Sequence, residues 1–227
     1  SENGTVWGWG LNNFGKIGDN TTATRYAPVQ TLMLTTATQV SVADHFSVAL
    51  LANGSVFTWG HGNNGRLGIG VGGDSYTPVQ TSISAEVEQL PNLAYSAHSL
   101  ALLANGSVIA WGYNANGQIG DGGTSAGVFT PVQTSGLSDV VAVAGGAFHS
   151  LALLANGSVY SWGGNSNGQL GIGSSGTNIL VPTNVRADFG ARPWYLSAGN
   201  LTSAVIDLGQ SALFTSLNWT ANGSGVS

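Results

Sequence analysis

His45, His98 and His149 are the residues of this chain best placed to do chemistry: they are read as one position recurring in successive stretches, with Asn200 standing there in a fourth. Three imidazoles brought onto one ring would line a channel and hold a metal such as zinc. The plainer reading is that each histidine holds its own stretch of chain through a hydrogen bond, and no metal or other cofactor is expected. Serine follows histidine at His98-Ser99 and His149-Ser150, but neighbours on a strand point to opposite faces, which is poor geometry for a nucleophile and its base. The ten Asp and Glu are scattered, and no close pair recurs that would suggest an acid and a base. Glycine-rich loops such as Trp111 to Gly120 lack the lysine and following helix of a phosphate-binding loop. No catalytic residue is assigned, and a non-enzymatic protein is expected.

Composition narrows the classes further. Charged residues make up 7% of the 227-residue chain, and 35 residues are glycine, so Ser, Thr, Asn and Gly must cover the surface. A hydrophobic content of 42% supplies enough apolar area to offset chain entropy, and disorder is not expected. The net charge is -5, and the five basic residues Lys16, Arg25, Arg66, Arg186 and Arg192 are dispersed; without a basic stripe, nucleic acid is not an expected partner. Cysteine is absent, which removes disulfides and thiolate chemistry. The longest apolar stretch, Val140 to Ala155, is interrupted by Gly145, Gly146 and His149. It reads as two strands, and no membrane span is expected. No charged start followed by an apolar segment opens the sequence, as expected where an export signal is lacking or already removed.

These residues must be positioned by a repeat. The Trp-Gly pairs at Trp9, Trp59, Trp111 and Trp162 are spaced by 50, 52 and 51 residues, and a fixed period of this size signals repeat architecture. FSVALLANG from Phe46 and HSLALLANG from His98 and His149 precede three of them, while PVQT follows at Pro28, Pro78 and Pro131, and PTNV at Pro182. Period-two alternation around Asn-Gly predicts tight hairpins with type I′ turns. The glycines of WGxNxxGQLG predict loops folding back over the strand just left, and the prolines fit the start or outer edge of a strand. No sustained helical stripe is present. The expected fold is all-β, with units at 3–52, 53–104, 105–155 and 156–207 and a degenerate strand or tail at 208–227. A small sheet cannot bury its face alone, and radial stacking of four-stranded antiparallel blades gives a β-propeller.

The combination HSLALLANGSVxxWGxNxNGQLGxG followed by TPVQT resembles the regulator of chromosome condensation (RCC1-like) family of β-propellers, with matches over roughly residues 3–207. The resemblance implies a propeller that usually has seven blades, whereas about four units are present here. Trp194 to Ile206 reads as the other half of the hairpin begun at Asn3-Gly4. The N- and C-terminal strands therefore either pair to close the ring, or another subunit completes it. In the best-known family member, propeller loops act on a small GTPase as an exchange factor. No insertion here resembles a dedicated exchange wedge, and that activity is not transferred.

Trp9, Trp59, Trp111 and Trp162 are read as blade core rather than sugar-stacking platforms, and His45, His98 and His149 as repeat-structural residues. Trp7, Trp194 and Trp219 lie off the register and are candidates for exposed contacts. So are Tyr26, Tyr76, Phe129 and Ile179, read as apolar anchors on variable loops. Of eight Asn-X-Ser/Thr sequons, four are the repeat's own turn; of the other four, at Asn20, Asn200, Asn218 and Asn222, the first three are candidate glycosylation sites. The resulting expectation is an extracellular or cell-surface propeller acting as a structural or adhesive building block that self-assembles into a larger ring or filament. An inhibitor- or scaffold-like protein-binding propeller and a carbohydrate-binding propeller are the alternatives. The expected partner is thus a second copy, another protein, or a glycan.

Overall fold

The computed structural model describes residues 3–93 and 95–185. Trp194, Trp219, Asn200, Asn218 and the pairing of the chain ends lie outside the described residues, as does the 208–227 tail. Fourteen strands alternate with turns and two short 3-10 turns, and no α-helix occurs among the described residues. Strands β1 (Trp7–Gly10) and β2 (Arg25–Gln30) form a two-stranded antiparallel sheet. Strands β3 (Ala37–Val42), β4 (Phe46–Leu51), β5 (Val56–Gly60) and β6 (Ser75–Gln80) form a four-stranded antiparallel sheet in chain order. A second such sheet joins β7 (Val87–Gln89), β8 (His98–Leu103), β9 (Val108–Asn114) and β10 (Ser125–Gln133). The third joins β11 (Val140–Gly145), β12 (His149–Leu154), β13 (Val159–Gly163) and β14 (Ile179–Asn184). Each four-stranded sheet takes its first two strands from one sequence unit and its last two from the next, so units and sheets run half a period out of phase.

The second strands of the first two four-stranded blades, β4 and β8, are apolar on both faces because a neighbouring sheet covers each. Val48 and Leu50 of β4 pack with Val87, Leu93, Ala101 and Leu103 of the following blade, while Ala49 packs with Val6, Leu34 and Trp59 on the preceding side. Leu100 and Leu102 of β8 repeat the arrangement with Val140, Val143 and Ala152. Period-two alternation here divides residues between two buried faces rather than between core and solvent. The prolines also follow from position: Pro28, Pro78, Pro131 and Pro182 lie within β2, β6, β10 and β14, each at the edge of its sheet, where the missing donor leaves no ladder bond unmade.

Two local expectations are corrected. The Asn-Gly turns are not type I′: Gly54, Gly106 and Gly157 have positive φ, but Asn53, Asn105 and Asn156 do not. Leu51 N–H donates to Ser55 O and Gly54 N–H to Leu51 O, both at 2.9 Å. This is the three-residue hairpin loop in which glycine alone takes the left-handed position. The glycine-rich loops, expected to fold over the strand just left, instead press their glycines on the following blade. A Cβ on Gly68, at φ +64°, would lie 2.7 Å from Trp111 Cδ1.

That contact separates two glycines of similar backbone conformation. Gly54, at φ +81°, has nothing within 4 Å of a would-be Cβ, so Gly54→Ala carries only the left-handed penalty of about 1–2 kcal/mol. Gly68→Ala must in addition displace Trp111, and a loss at least twice as large is expected. Urea denaturation midpoints at unchanged m-value check this; equal losses would show that the loop is not tightly docked.

Candidate functional site

Three of the four glycine-rich loops are organised by their own asparagine, while the second carries Gly62 there and is tied through Gly62 N–H to Asp74 instead. Asn12 Oδ1 accepts from Ile17 N–H at 2.9 Å, Asn114 from Ile119 at 3.1 Å and Asn165 from Leu170 at 3.2 Å. The loop so held aims one backbone carbonyl at the next blade. Lys16 O accepts from Trp59 Nε1 at 2.8 Å, Arg66 O from Trp111 at 3.0 Å and Gln118 O from Trp162 at 2.8 Å. The same carbonyls accept the hydroxyls of Ser47, Ser99 and Ser150 at 2.9, 3.4 and 2.8 Å. Both lone pairs of a buried carbonyl are thereby used, and the indole ring seals the joint. The glycines flanking it allow the approach: Gly15, Gly65 and Gly117 lie against the backbones of Tyr76, Phe129 and Leu180.

Trp59, Trp111 and Trp162 are buried, whereas Trp9 is 66% exposed. Its burial in the repeat depends on a loop from a preceding blade, and none precedes it among the described residues. The histidine register is also corrected. Phe46, His98 and His149 are the equivalent residues, pairing with Gly60, Gly112 and Gly163. His45 belongs one place earlier, with Ala97 and Phe148; their carbonyls accept from His61, Tyr113 and Gly164 N–H.

His98 does not merely hold its own blade. Ser150 Oγ–H is committed to Gln118 O, so His98 Nε2–H donates to Ser150 Oγ at 2.7 Å across the blade boundary, leaving Nδ1 facing Ser96 Oγ at 3.0 Å. Full burial, with a smaller contribution from the charge of His149, lowers the pKa of His98 to about 3. Burial likewise lowers that of His149. A serine hydroxyl and an imidazole in contact resemble half of a nucleophilic pair, but both side chains are inaccessible and the contact serves as a structural link between blades.

The end of the sheets where strands β5 and β9 leave their Trp-Gly pairs carries a different set. The Phe14 ring lies 4.2 Å from that of His61 and 5.3 Å from that of His45, and the two imidazoles are 6.0 Å apart, edge to face. Asp74 accepts from His61 Nδ1 at 2.8 Å and from Gly62 N–H at 3.1 Å. Asp44 Oδ2 lies 3.2 Å from His45 Nε2. One blade on, Tyr113 and Phe148 meet with centroids 6.1 Å apart. With half-exposed Phe148 and exposed Leu11, these side chains make a rim of rings and imidazoles. Each imidazole is turned to its own carboxylate, and no group of three metal-ligating side chains forms among the described residues.

Phe14 has φ +67°, a conformation costing a non-glycine residue roughly 1–2 kcal/mol. Its counterpart Asn64 adopts φ +60° with the usual tolerance of asparagine. The sequence reading missed the rim because its members stand at the variable positions of the repeat: Leu11, His61, Tyr113 and Gly164 after the Trp-Gly pair, and His45, Ala97 and Phe148 before the second strand. Variation at one position between units that otherwise repeat was the available signal.

The remaining predicted contact residues separate. Tyr26, Tyr76 and Ile179 lie at the starts of β2, β6 and β14, and Phe129 in the middle of β10, rather than on loops. Tyr26, Tyr76 and Phe129 share one register position with Leu180, and Ile179 falls one residue short of it. Tyr76 and Phe129 cover the glycine of the preceding loop, whereas Tyr26 is 97% exposed. Trp7 is half-exposed and donates its indole N–H to Thr5 Oγ1. Asn20 is exposed with φ +64°.

The chain is similar to known proteins over most of its length. The family model described as the regulator of chromosome condensation (RCC1) repeat matches residues 3–50, 53–90, 105–153 and 156–206. A second model of the same repeat matches 37–66 and 140–169. The probable E3 ubiquitin-protein ligase HERC6 of Homo sapiens is 38% identical over 130 residues, which are 56% of this chain and 12% of that protein. Protein pim1 of Schizosaccharomyces pombe is 36% identical over 103 residues, 40% of this chain and 19% of that one. The crystal structure of human WBSCR16 superposes with a TM-score of 0.73 at 23% identity, covering 85% of this chain and 50% of that chain. Yeast RCC1 (Prp20) bound to Kap60 gives 0.73 at 20% identity, covering 82% and 46%. The chain thus spans about half of these solved propellers and under a fifth of these two curated relatives.

The buried imidazole sets a pH dependence. A histidine whose folded pKa lies below its unfolded value of about 6.5 binds fewer protons folded than unfolded, so stability is fully present above that pH and is lost as pH falls toward about 3. Asp19 enters only below its ordinary range. Burial raises its pKa, but hydrogen bonds from Thr21 and Arg25 outweigh that and hold the carboxyl low. Urea midpoints are therefore expected to fall between pH 6.5 and 4.5, and to fall less steeply in His98→Gln; an identical slope in both proteins would remove His98 as the cause.

Proposed function

Because the chain belongs to the regulator of chromosome condensation repeat family of β-propellers, we propose that it is a non-enzymatic protein-binding propeller that presents its ring-and-imidazole rim to another protein. One observation carries the reading. The positions that dock one blade on the next repeat their residue types, whereas the rim concentrates Phe14, His45, His61, Tyr113 and Phe148 where other units carry Asn64, Ala97 or Gly164. Phe14 holds its place, half-buried, against an unfavourable backbone conformation, and strain retained at a partly open site points to use rather than to stability. Aromatic side chains backed by a rigid sheet lose little entropy on contact and are frequent anchors of protein interfaces.

The relatives agree in the kind of partner. Yeast RCC1 (Prp20) was solved bound to Kap60, and Prp20p of Saccharomyces cerevisiae, in a second structure, is described by its binding to Gsp1p and histones. The partner of this chain is proposed only as a protein. The ligase named in HERC6 is not carried over, since the chain corresponds to 12% of that protein.

Replacing rim residues by those that other units carry tests this without disturbing the sheets. Phe14→Asn, Tyr113→Gly and Phe148→Ala together are expected to cut affinity capture of a stoichiometric partner from a source-cell extract at least tenfold. Phe14→Asn alone is expected to leave stability unchanged or raise it by up to about 1 kcal/mol, so lost capture would not reflect unfolding. An unchanged set of captured proteins would overturn the reading.

A further inference from the structure

Three of the glycine-rich loops each set one residue over the Trp-Gly pair of the next blade, at the rim. A Cβ on Gly60 would lie 3.3 Å from Lys16 Cβ, one on Gly112 3.5 Å from Arg66 Cα, and one on Gly163 3.2 Å from Gln118 Cα. The side chains at this position differ in what they bond. Lys16 Nζ donates to Asp44 O at 3.0 Å. Gln118 is fully buried and accepts at Oε1 from Asn116 N–H at 2.9 Å, although its Nε2 has no partner. The half-buried Arg66 side chain bonds nothing: its guanidinium makes no hydrogen bond or ion pair among the described residues, and its Nε is closed off from water without an acceptor. The other described cations are held, Lys16 by Asp44 O and Arg25 by Asp19.

A charge half-removed from water with no acceptor costs stability, and the neutral Gln118 at the same position shows that the joint does not need it. Burial lowers the pKa of the guanidinium, and Asp44 and Tyr113 offset part of that, so Asp44 is close enough to act on the charge without pairing with it. The neighbouring positions leave room for an incoming group. Gly112 is bordered by Arg66 on one side and by the Ala97 carbonyl on the other, at 3.2 Å from its would-be Cβ. Ala97 stands where the flanking units carry His45 and Phe148, so a small side chain separates two large ones on the rim.

We propose that Arg66 is the charged anchor of the rim and takes the carboxylate of an acidic side chain on the partner protein. The inference rests on the reading of the rim as a protein-binding surface. The planar guanidinium matches the two oxygens of a carboxylate, and a pair formed in partly dry surroundings is stronger than one in water. A carboxylate is selected over a phosphate because Asp44, whose side chain is 55% exposed, repels a dianion more strongly than a monoanion.

Hexaglutamate, hexaglutamine and a phosphoserine hexapeptide, titrated into the 15N-labelled full chain, test this with the Arg66 Nε–H resonance as the readout. Hexaglutamate is expected to shift that resonance saturably at millimolar concentration, hexaglutamine to leave it in place, and the phosphopeptide to bind no tighter than hexaglutamate. Arg66→Gln, which installs the residue of the next unit, is expected to weaken hexaglutamate binding at least tenfold, followed by the remaining rim resonances, with thermal melting unchanged or raised. Lys16→Gln is expected to change binding less than twofold. An Arg66 resonance that hexaglutamate does not move, an equal response to hexaglutamine, tighter binding of the phosphopeptide, equal losses in the two variants, or a lower melting point in Arg66→Gln would each overturn the proposal. The peptides stand in for the partner, so failure here leaves the capture result of the triple rim variant unaffected, and the two readings fail separately.

Discussion

A single backbone carbonyl per unit, at Lys16, Arg66 and Gln118, is the point through which neighbouring blades are joined. It accepts an indole N–H and a serine hydroxyl from the next blade, and the surrounding features follow from the need to bring a loop backbone that close. The two flanking glycines remove side chains that would strike the tryptophan and the outer strand. In the loops of Lys16 and Gln118 an asparagine braces the turn from within, so the carbonyl arrives already oriented. A buried carbonyl with both lone pairs used contributes modestly when satisfied and costs more when left bare. The arrangement therefore specifies a neighbour as much as it stabilises one.

This explains a chain with so few charges. Cohesion between blades comes from apolar surface on both sides of β4 and β8 and from hydrogen bonds of neutral groups. Even the buried histidine fits the pattern: His98 is held neutral and donates across the boundary to Ser150, where Phe46 fills the equivalent place in the preceding blade by packing alone. One position accepts either side chain because it lies between two sheets, where shape and hydrogen bonding can substitute for each other.

The positions that join one blade to the next and those of the rim are kept apart. The edges of the blades carry the repeated tryptophans and glycines, and their requirements leave little freedom to vary. The rim at the ends of β5 and β9 carries no such duty, and there Phe14, His61, Tyr113 and Phe148 replace the asparagine, glycine and alanine of other units. A scaffold that fixes its interior by repetition is free to vary at its ends, which is the usual way that a rigid fold acquires a binding surface.

Much of this was legible in the residues themselves. The period of the Trp-Gly pairs, the alternation around Asn-Gly and the prolines of PVQT determined an all-β repeat with hairpins and edge strands, because each depends on local stereochemistry. The partner of each residue was not legible. Trp9 precedes a glycine as Trp59 does yet lies open among the described residues, since what buries a repeat tryptophan is a loop some 43 residues away. His45 was assigned to the position that belongs to Phe46, because strand register is set by pairing with Gly60 rather than by residue type. The rim, too, is assembled only when three separate segments meet. Local sequence determined the elements and their order, while tertiary structure decided which faces are covered, because burial belongs to the neighbour as much as to the residue.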